Sequence, residues 1–158
     1  MIKDRYTIER QLWDANLFRV MGLDEVGRGC LCGPVVAAGV ILNPEDCIEG
    51  LADSKTISRK QREMLAEEIE MRAVYTVVKE CSPAEIDELN ILKASISAMV
   101  KCAEAYGGDP DYLLIDGNRF TSSIIPYQCI VKGDDRSASI AAASILAKVH
   151  RDKIMHEL

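Results

Sequence analysis

Two adjacent acids, Asp24 and Glu25, close an apolar run and are followed at once by Gly27, Arg28 and Gly29. Carboxylate oxygens are the ligands that Mg²⁺ and Mn²⁺ prefer, whereas zinc sites are built largely from His and Cys. Glycines beside an arginine allow a phosphate or a sugar to approach the backbone closely. Two divalent ions about 4 Å apart activate a water and stabilise the leaving oxygen of an in-line displacement. The stretch therefore indicates metal-assisted cleavage of a phosphodiester.

Further acids follow two later segments of the chain. Asp116 ends the apolar run 112–115, and Asp134 and Asp135 precede a long alanine-rich segment. Ligand sites in open α/β sheets form at the carboxyl ends of strands, so Asp24 and Asp116 lie side by side if their strands are neighbours. Clustered carboxylates repel one another and so raise one another's pKa, and bound divalent cations remove this repulsion. An anionic Asp134 is favoured near a helix N-terminus.

Each acid also has an ordinary structural interpretation. The DGN run at 116–118 alone is typical of a turn, and residues 134–135 alone are typical of a helix N-cap pair. Adjacent strand residues point to opposite faces, so Asp24 and Glu25 share a metal cluster only if the chain bends there. Gly27 and Gly29 favour such a bend. Spacing alone leaves both interpretations open.

The segments that would position these acids alternate between strands and helices. Strands are predicted at Leu17–Leu23, Pro34–Leu42, Ala73–Val78, Tyr112–Ile115 and Ile124–Val131. One helix is predicted to begin at the capping box Ser58–Gln61 and to run to about Met71, and a short one is predicted to follow a second capping box at Ser82–Glu85. Two longer helices are predicted over Ile91–Tyr106 and Ser137–His156. Small side chains in the first half of the last helix would let its backbone approach a sheet. This alternation predicts an α/β sandwich with a mixed sheet.

Composition fits one domain, 1–158, with a real core. Hydrophobic content is 48% and charged content 28%, the N-terminus lacks a secretory apolar core, and no apolar stretch is long enough to span a membrane. The six cysteines lack paired C-x-x-C spacing, which favours free thiols in a reducing cytoplasm. Cys30 and Cys32 leave a Cys-x-Cys metal site open.

The net charge of −6 argues against nucleic-acid binding by bulk charge alone. It does not exclude a nuclease, because an acidic metal site attracts phosphate once cations are bound. Six bases and three acids lie between Arg119 and Lys153, which leaves room for a basic surface near the predicted site.

Five motifs in order resemble the ribonuclease HII family across nearly the whole chain. They are LDEVGRG with GPVVAAGVIL, ADSKTIS, IDELNILKAS, LLIDGN and KGDDRSASIAAASILAKVHRD. The resemblance implies an RNase H-like fold with a mixed five-stranded sheet flanked by helices. It implies cleavage of RNA in RNA–DNA hybrids, and incision 5′ of ribonucleotides embedded in DNA, a DNA-repair activity that leaves 5′-phosphomonoesters. It also implies Mg²⁺ or Mn²⁺ and a monomer without a membrane partner.

The resemblance also carries residue roles. The catalytic, metal-binding acids would be Asp24, Glu25, Asp116 and Asp134. Substrate would be bound by Gly27, Arg28, Gly29, Ser54, Lys55 and Lys148. The first three would read the ribose 2′-hydroxyl, the group that distinguishes RNA from DNA, and the adjacent phosphates. Arg28 could also be an ordinary surface arginine, and Ser54 and Lys55 could form a solvated loop.

The last helix holds several polar residues with lesser expected roles. Lys148 would meet phosphate or pair with an acid, and Asp152 would form an ion pair with Arg151 or Lys148. Asp135 would remain as the helix cap. His150 and His156 are expected to face solvent, so that water rather than a histidine base supplies the nucleophile.

Family members continue beyond the position of Leu158 into a segment with a substrate-stacking tyrosine. An alternative function is therefore a nucleic-acid-binding but catalytically weak fragment. A third hypothesis is a related hybrid-specific ribonuclease that ignores a single embedded ribonucleotide, against which the Gly-Arg-Gly argues.

Overall fold

The computed structural model describes residues 5–27, 33–51, 56–120 and 124–157. The strands are β1 (Val20–Val26), β2 (Val35–Ile41), β3 (Tyr75–Cys81), β4 (Tyr112–Asp116) and β5 (Tyr127–Ile130). The helices are α1 (Thr7–Asp14), α2 (Arg59–Arg72), α3 (Pro83–Leu89), α4 (Ile91–Ala105), α5 (Gly133–Arg136) and α6 (Ala138–Glu157).

The strands form one sheet in the order β3-β2-β1-β4-β5. β2 runs antiparallel to β1 and to β3, whereas β4 runs parallel to β1 and to β5. The predicted mixed five-stranded sheet flanked by helices is confirmed. Both predicted capping boxes are also present, at Ser58 with Gln61 and at Ser82 with Glu85.

The start of β1 was predicted too early. Leu17 N–H donates to the carbonyl of Leu12 at 3.0 Å, so Leu17 still belongs to the turn that ends α1. Helix α1 itself was not predicted. Its N-cap residue, Tyr6, makes no side-chain cap hydrogen bond, so the capping signature that marks α2 and α3 is missing.

Two later strands are also shifted from their predicted bounds. Ala73 was assigned to the third strand but ends α2 instead, where its N–H donates to Ile69 at 2.9 Å. β3 therefore begins at Tyr75, opposite Ile41. β5 is shorter than predicted because it begins only after Pro126, whose missing N–H cannot join a ladder.

Two apolar layers enclose the sheet. One layer packs α6 against one face, and the other packs α4 against the opposite face. At Gly22 the backbone of α6 lies so close that an added Cβ would be 2.3 Å from the carbonyl carbon of Ser139. The expectation that small residues let the last helix approach the sheet is thus confirmed. No helix in the described ranges is both long and apolar enough to span a membrane.

Candidate active site

The parallel pairing of β1 and β4 brings two of the predicted acids to one edge of the sheet. Leu23 is paired with Ile115, so the next residues, Asp24 and Asp116, lie side by side as predicted. β1 does not end at Asp24, however, because its ladder with β2 continues until Val26 is paired with Val36.

Asp24 and Glu25 consequently start on opposite faces of the sheet. Ala38, the partner of Asp24, packs in the α6 layer, and Ala37, the partner of Glu25, packs in the α4 layer. The expected bend between the two acids is not present within the strand. The backbone turns later, at Gly27, which has a φ of +111°.

Asp24 is a buried carboxyl among like charges. It is 7% exposed, and its Oδ1 accepts a hydrogen bond from Glu25 N at 2.8 Å. Burial and the neighbouring Asp116 carboxylate raise the pKa of Asp24 well above its usual range, and Glu25 and Asp134 add to the effect. The Glu25 hydrogen bond opposes this increase. A bound cation would relieve the repulsion that raises the pKa.

Asp116 is linked to the short helix α5. Its Oδ1 accepts a hydrogen bond from Gly133 N at 2.7 Å. Gly133 follows Lys132, which has a left-handed backbone with a φ of 55°. This turn places Asp134 in the first turn of α5 rather than directly before the long helix.

The prediction that Asp135 caps the long helix is wrong. Asp135 also lies in the first turn of α5, 3.9 Å from Arg5 in an ion pair. Ser137 takes the capping role, because its Oγ accepts from Ile140 N at 3.2 Å at the start of α6. A separate short helix was not visible in the local pattern, so the cap was assigned two residues too early.

All four predicted acids line one cavity of about 500 Å³. Three cations line it as well: Arg62 from α2, Lys132 before α5 and Lys148 from α6. Sequence reasoning did not select Arg62, since nothing near it in the sequence marks it as more than a helix-surface arginine. Lys132 was counted in the sequence only among the six bases between Arg119 and Lys153.

Asp152 holds two of these cations in place. Lys148 Nζ lies 3.1 Å from Asp152 Oδ1, and Arg62 Nη1 lies 3.3 Å from Asp152 Oδ2. The expected ion pair of Asp152 with Lys148 is therefore present. Arg151 instead is buried and donates from Nε to the carbonyl of Pro34 at 3.1 Å.

The chemistry of the donor set fits a hard divalent cation. Among the described residues, however, no three His, Cys, Asp or Glu side chains are already gathered closely enough to hold a metal ion. Like charges repel one another, and Asp24 and Asp116 each accept a hydrogen bond from a backbone N–H with one oxygen. The four acids thus line one cavity without forming a three-ligand cluster among the described residues.

Gly27 lies where no side chain fits. An added Cβ would be 2.8 Å from Pro34 O and 2.9 Å from Arg151 Nε, and the positive φ adds strain. Six other predicted or noted positions fall outside the described residues. They are Arg28, Gly29, Ser54 and Lys55, with the Cys30–Cys32 pair beside them.

The two histidines stand apart from the acids. His150 lies 3.7 Å from Glu80 and is partly exposed, and His156 is exposed. Neither lines the cavity of the four acids. The expectation that they face solvent is thus met by their positions.

Solved ribonucleases H share this fold. Ribonuclease H2 from Pyrococcus horikoshii OT3 has a TM-score of 0.77 at 25% identity, with 87% of this chain and 74% of that chain covered. Bst-RNase HIII in complex with Mn²⁺ has a TM-score of 0.70 at 20% identity, with 90% and 55% covered. The fold and the acids at its strand ends place the chain in the RNase H-like class of α/β proteins.

The sequence comparisons narrow the class to one family. The family model described as Ribonuclease HII matches residues 21–158. The ribonuclease HII of Salinibacter ruber is 48% identical over 154 residues, which cover 95% of this chain and 77% of that protein. This chain belongs to the ribonuclease HII family, and its enzyme class is that of an endonucleolytic ribonuclease H.

Proposed function

We propose that this chain is a divalent-metal-dependent endoribonuclease that hydrolyses RNA in RNA–DNA duplexes and incises 5′ of ribonucleotides embedded in DNA. The observation that carries the proposal is the convergence of Asp24, Glu25, Asp116 and Asp134 on one cavity, in a member of the ribonuclease HII family. Cations on the same cavity wall support a phosphodiester as the ligand.

The four acids would hold Mg²⁺ or Mn²⁺, which supplies charge neutralisation at the phosphate and an activated water when bound. In the reaction a water oxygen forms a bond to phosphorus and the P–O3′ bond breaks. The upstream DNA keeps a 3′-hydroxyl that gains a proton, and the ribonucleotide keeps a 5′-phosphate. Lys148 and Arg62, tethered through Asp152, would position the charged backbone against the acids.

The residues proposed to read the substrate are Gly27 and the two residues that follow it in the sequence, Arg28 and Gly29. Pro34 and Arg151 fill the space beside Gly27, so only glycine fits there, and with Arg28 and Gly29 it would read the ribose 2′-hydroxyl and adjacent phosphates. Ser54 and Lys55 would contact a further phosphate. The buried side chain of Arg151 donates a hydrogen bond to the carbonyl of Pro34, and both groups lie directly beside Gly27.

We further infer that the enzyme acts as a monomer in the cytoplasm. The four described cysteines are free thiols, and burial raises the pKa of Cys102 to about 12, so this thiol stays protonated and unreactive. Light scattering of the purified chain tests the monomer, and a dimeric mass would contradict it.

The test is a strand-cleavage assay on a DNA duplex with one ribonucleotide, with Mg²⁺, Mn²⁺ and EDTA arms. We expect a metal-dependent nick 5′ of the ribonucleotide. Asp24→Asn and Asp116→Asn should each lower the rate on the order of 10³-fold, which corresponds to about 4 kcal/mol of activation free energy. Asp109→Asn is the matched control, because this exposed acid lies before β4 at the opposite edge of the sheet.

Full activity of both acid variants would contradict the assignment of the acids. Cleavage of a long RNA–DNA hybrid without the single-ribonucleotide nick would identify the hybrid-specific alternative. Duplex binding without any nick would identify the catalytically weak alternative.

A further inference from the structure

A second cavity, of about 270 Å³, opens on the other side of the acid pair. Glu25 and Asp116 line it, as they line the cavity of the four acids. The rest of its wall comes from α4 and from the residues that follow β4. The two cavities therefore share the carboxylates of Glu25 and Asp116. The larger cavity lies toward α6, and the second cavity lies toward α4.

Ser95 supplies a hydroxyl without a partner to this second cavity. The residue is 1% exposed, it lines the cavity, and its Oγ makes no hydrogen bond among the described residues. Buried hydroxyls in folded proteins are nearly always hydrogen-bonded, because desolvation without a partner costs free energy. An unpaired hydroxyl beside a cavity indicates a ligand that completes it.

Arg119 supplies an unpaired cation to the same cavity. It is exposed, and it makes no ion pair or hydrogen bond within the described part of the chain, although Glu25 and Asp116 line the same space. A guanidinium group binds phosphate with two parallel hydrogen bonds. Leu92 and Met99 add an apolar wall, which suits the carbon face of a sugar.

We propose that the second cavity binds the sugar–phosphate unit that adjoins the scissile phosphate on the cleaved strand. Arg119 binds the phosphate of this unit, and Ser95 hydrogen-bonds to a sugar oxygen. The inference rests on the proposed function, since a strand whose scissile phosphate lies at Glu25 and Asp116 must continue on both sides of them. The larger cavity takes the strand in one direction, and the second cavity takes it in the other.

Binding in EDTA to the single-ribonucleotide duplex tests the role of Arg119. Arg119→Ala should weaken binding about tenfold, the effect of one charge-assisted contact. Arg19→Ala is the matched control, because Arg19 is also exposed but lies before β1, at the opposite edge of the sheet. A methylphosphonate is then placed singly at each phosphate next to the cleavage point. One of these neutral linkages should weaken wild-type binding about tenfold and Arg119→Ala binding less than about twofold.

Ser95→Ala separates a ligand contact from a structural one. Removal of an unpaired buried hydroxyl should leave the unfolding midpoint unchanged or higher, whereas binding should weaken about threefold to tenfold. Ser139→Ala is the control, since its Oγ is also buried and unpaired among the described residues, but Ser139 lies in the first turn of α6 and does not line the cavity. It should change neither binding nor cleavage.

The proposal is overturned if Arg119→Ala and Arg19→Ala bind alike, or if every neutral linkage costs both proteins the same affinity. Failure of the proposed function has a different signature. In that case the wild-type protein nicks no RNA-containing duplex, while Arg119-dependent binding in EDTA still supports the second cavity as a binding site for the strand.

Discussion

Two buried carboxyl groups in this protein have opposite surroundings. Glu9 of α1 is fully buried, and its Oε2 accepts hydrogen bonds from Ser137 Oγ at 2.5 Å and Ser139 N at 3.0 Å, at the N-terminus of α6. Asp24 is almost as buried, but Asp116, Asp134 and Glu25 surround it with like charge. A helix N-terminus stabilises an anion, whereas neighbouring carboxylates destabilise one. Glu9 therefore has two donors on one oxygen, although its Oε1 is buried without a partner among the described residues, whereas Asp24 has one backbone donor against three like charges.

The different surroundings of Glu9 and Asp24 depend on α6 packing directly on β1, and Gly22→Ala tests that packing. The new Cβ would meet backbone atoms of Ser139 at 2.3 Å, which no rotamer change relieves. We expect a loss of about 3 kcal/mol or more in the free energy of unfolding, measured by urea titration. Gly107→Ala, whose added Cβ has no atom within 4 Å, is the control. Equal midpoints for the two variants would contradict the close approach.

Glu9→Gln tests the stabilising member of the pair. The amide keeps the shape but loses the charge that Ser137 and Ser139 stabilise, so the free energy of unfolding should fall by about 2 kcal/mol. Glu67→Gln, an exposed change on α2, should leave it within about 0.5 kcal/mol. A wild-type midpoint for Glu9→Gln would show that the buried charge adds nothing to stability.

A bound divalent cation should offset the loss of stability that the clustered acids cause. At tenfold its dissociation constant, Mg²⁺ or Mn²⁺ should raise the free energy of unfolding by about 1.4 kcal/mol through mass action. The increase should be largely absent in Asp24→Asn and retained in Asp109→Asn. Thermal melts with and without metal measure it, and an equal shift in all three proteins would place the cation elsewhere.

The smallest expected effect is that of Asp24→Asn without metal. Because the pKa of Asp24 is raised on folding, its contribution to stability is greatest when it is protonated and falls as pH rises through that pKa. In EDTA at pH 8 the Asn variant should therefore be more stable than wild type by about 1 kcal/mol. The gap should close as pH falls toward 4, and a wild type that stays more stable at pH 8 would contradict the argument.

Local sequence patterns were enough to identify the five strands and four of the six helices in the described part of the chain, but not α1 and α5. Serine with Gln or Glu three residues later marks the starts of α2 and α3, and apolar runs mark the cores of the strands. The same patterns failed where a contact from elsewhere sets a boundary. Helix α1 lacks a side-chain cap, and β1 continues past Asp24 because β2 pairs with it as far as Val26.

The sequence by itself determined the mixed α/β class, the family motifs and the acids that meet at one sheet edge. Only the tertiary structure decided that Ser137 rather than Asp135 caps α6, that Arg62 joins the cavity, and that Ser95 and Arg119 line a second one. Helix caps and strand periodicity depend on residues a few positions apart, which a sequence displays directly. Cavities depend on side chains brought together from distant segments by strand order and helix packing, and no local pattern encodes that proximity.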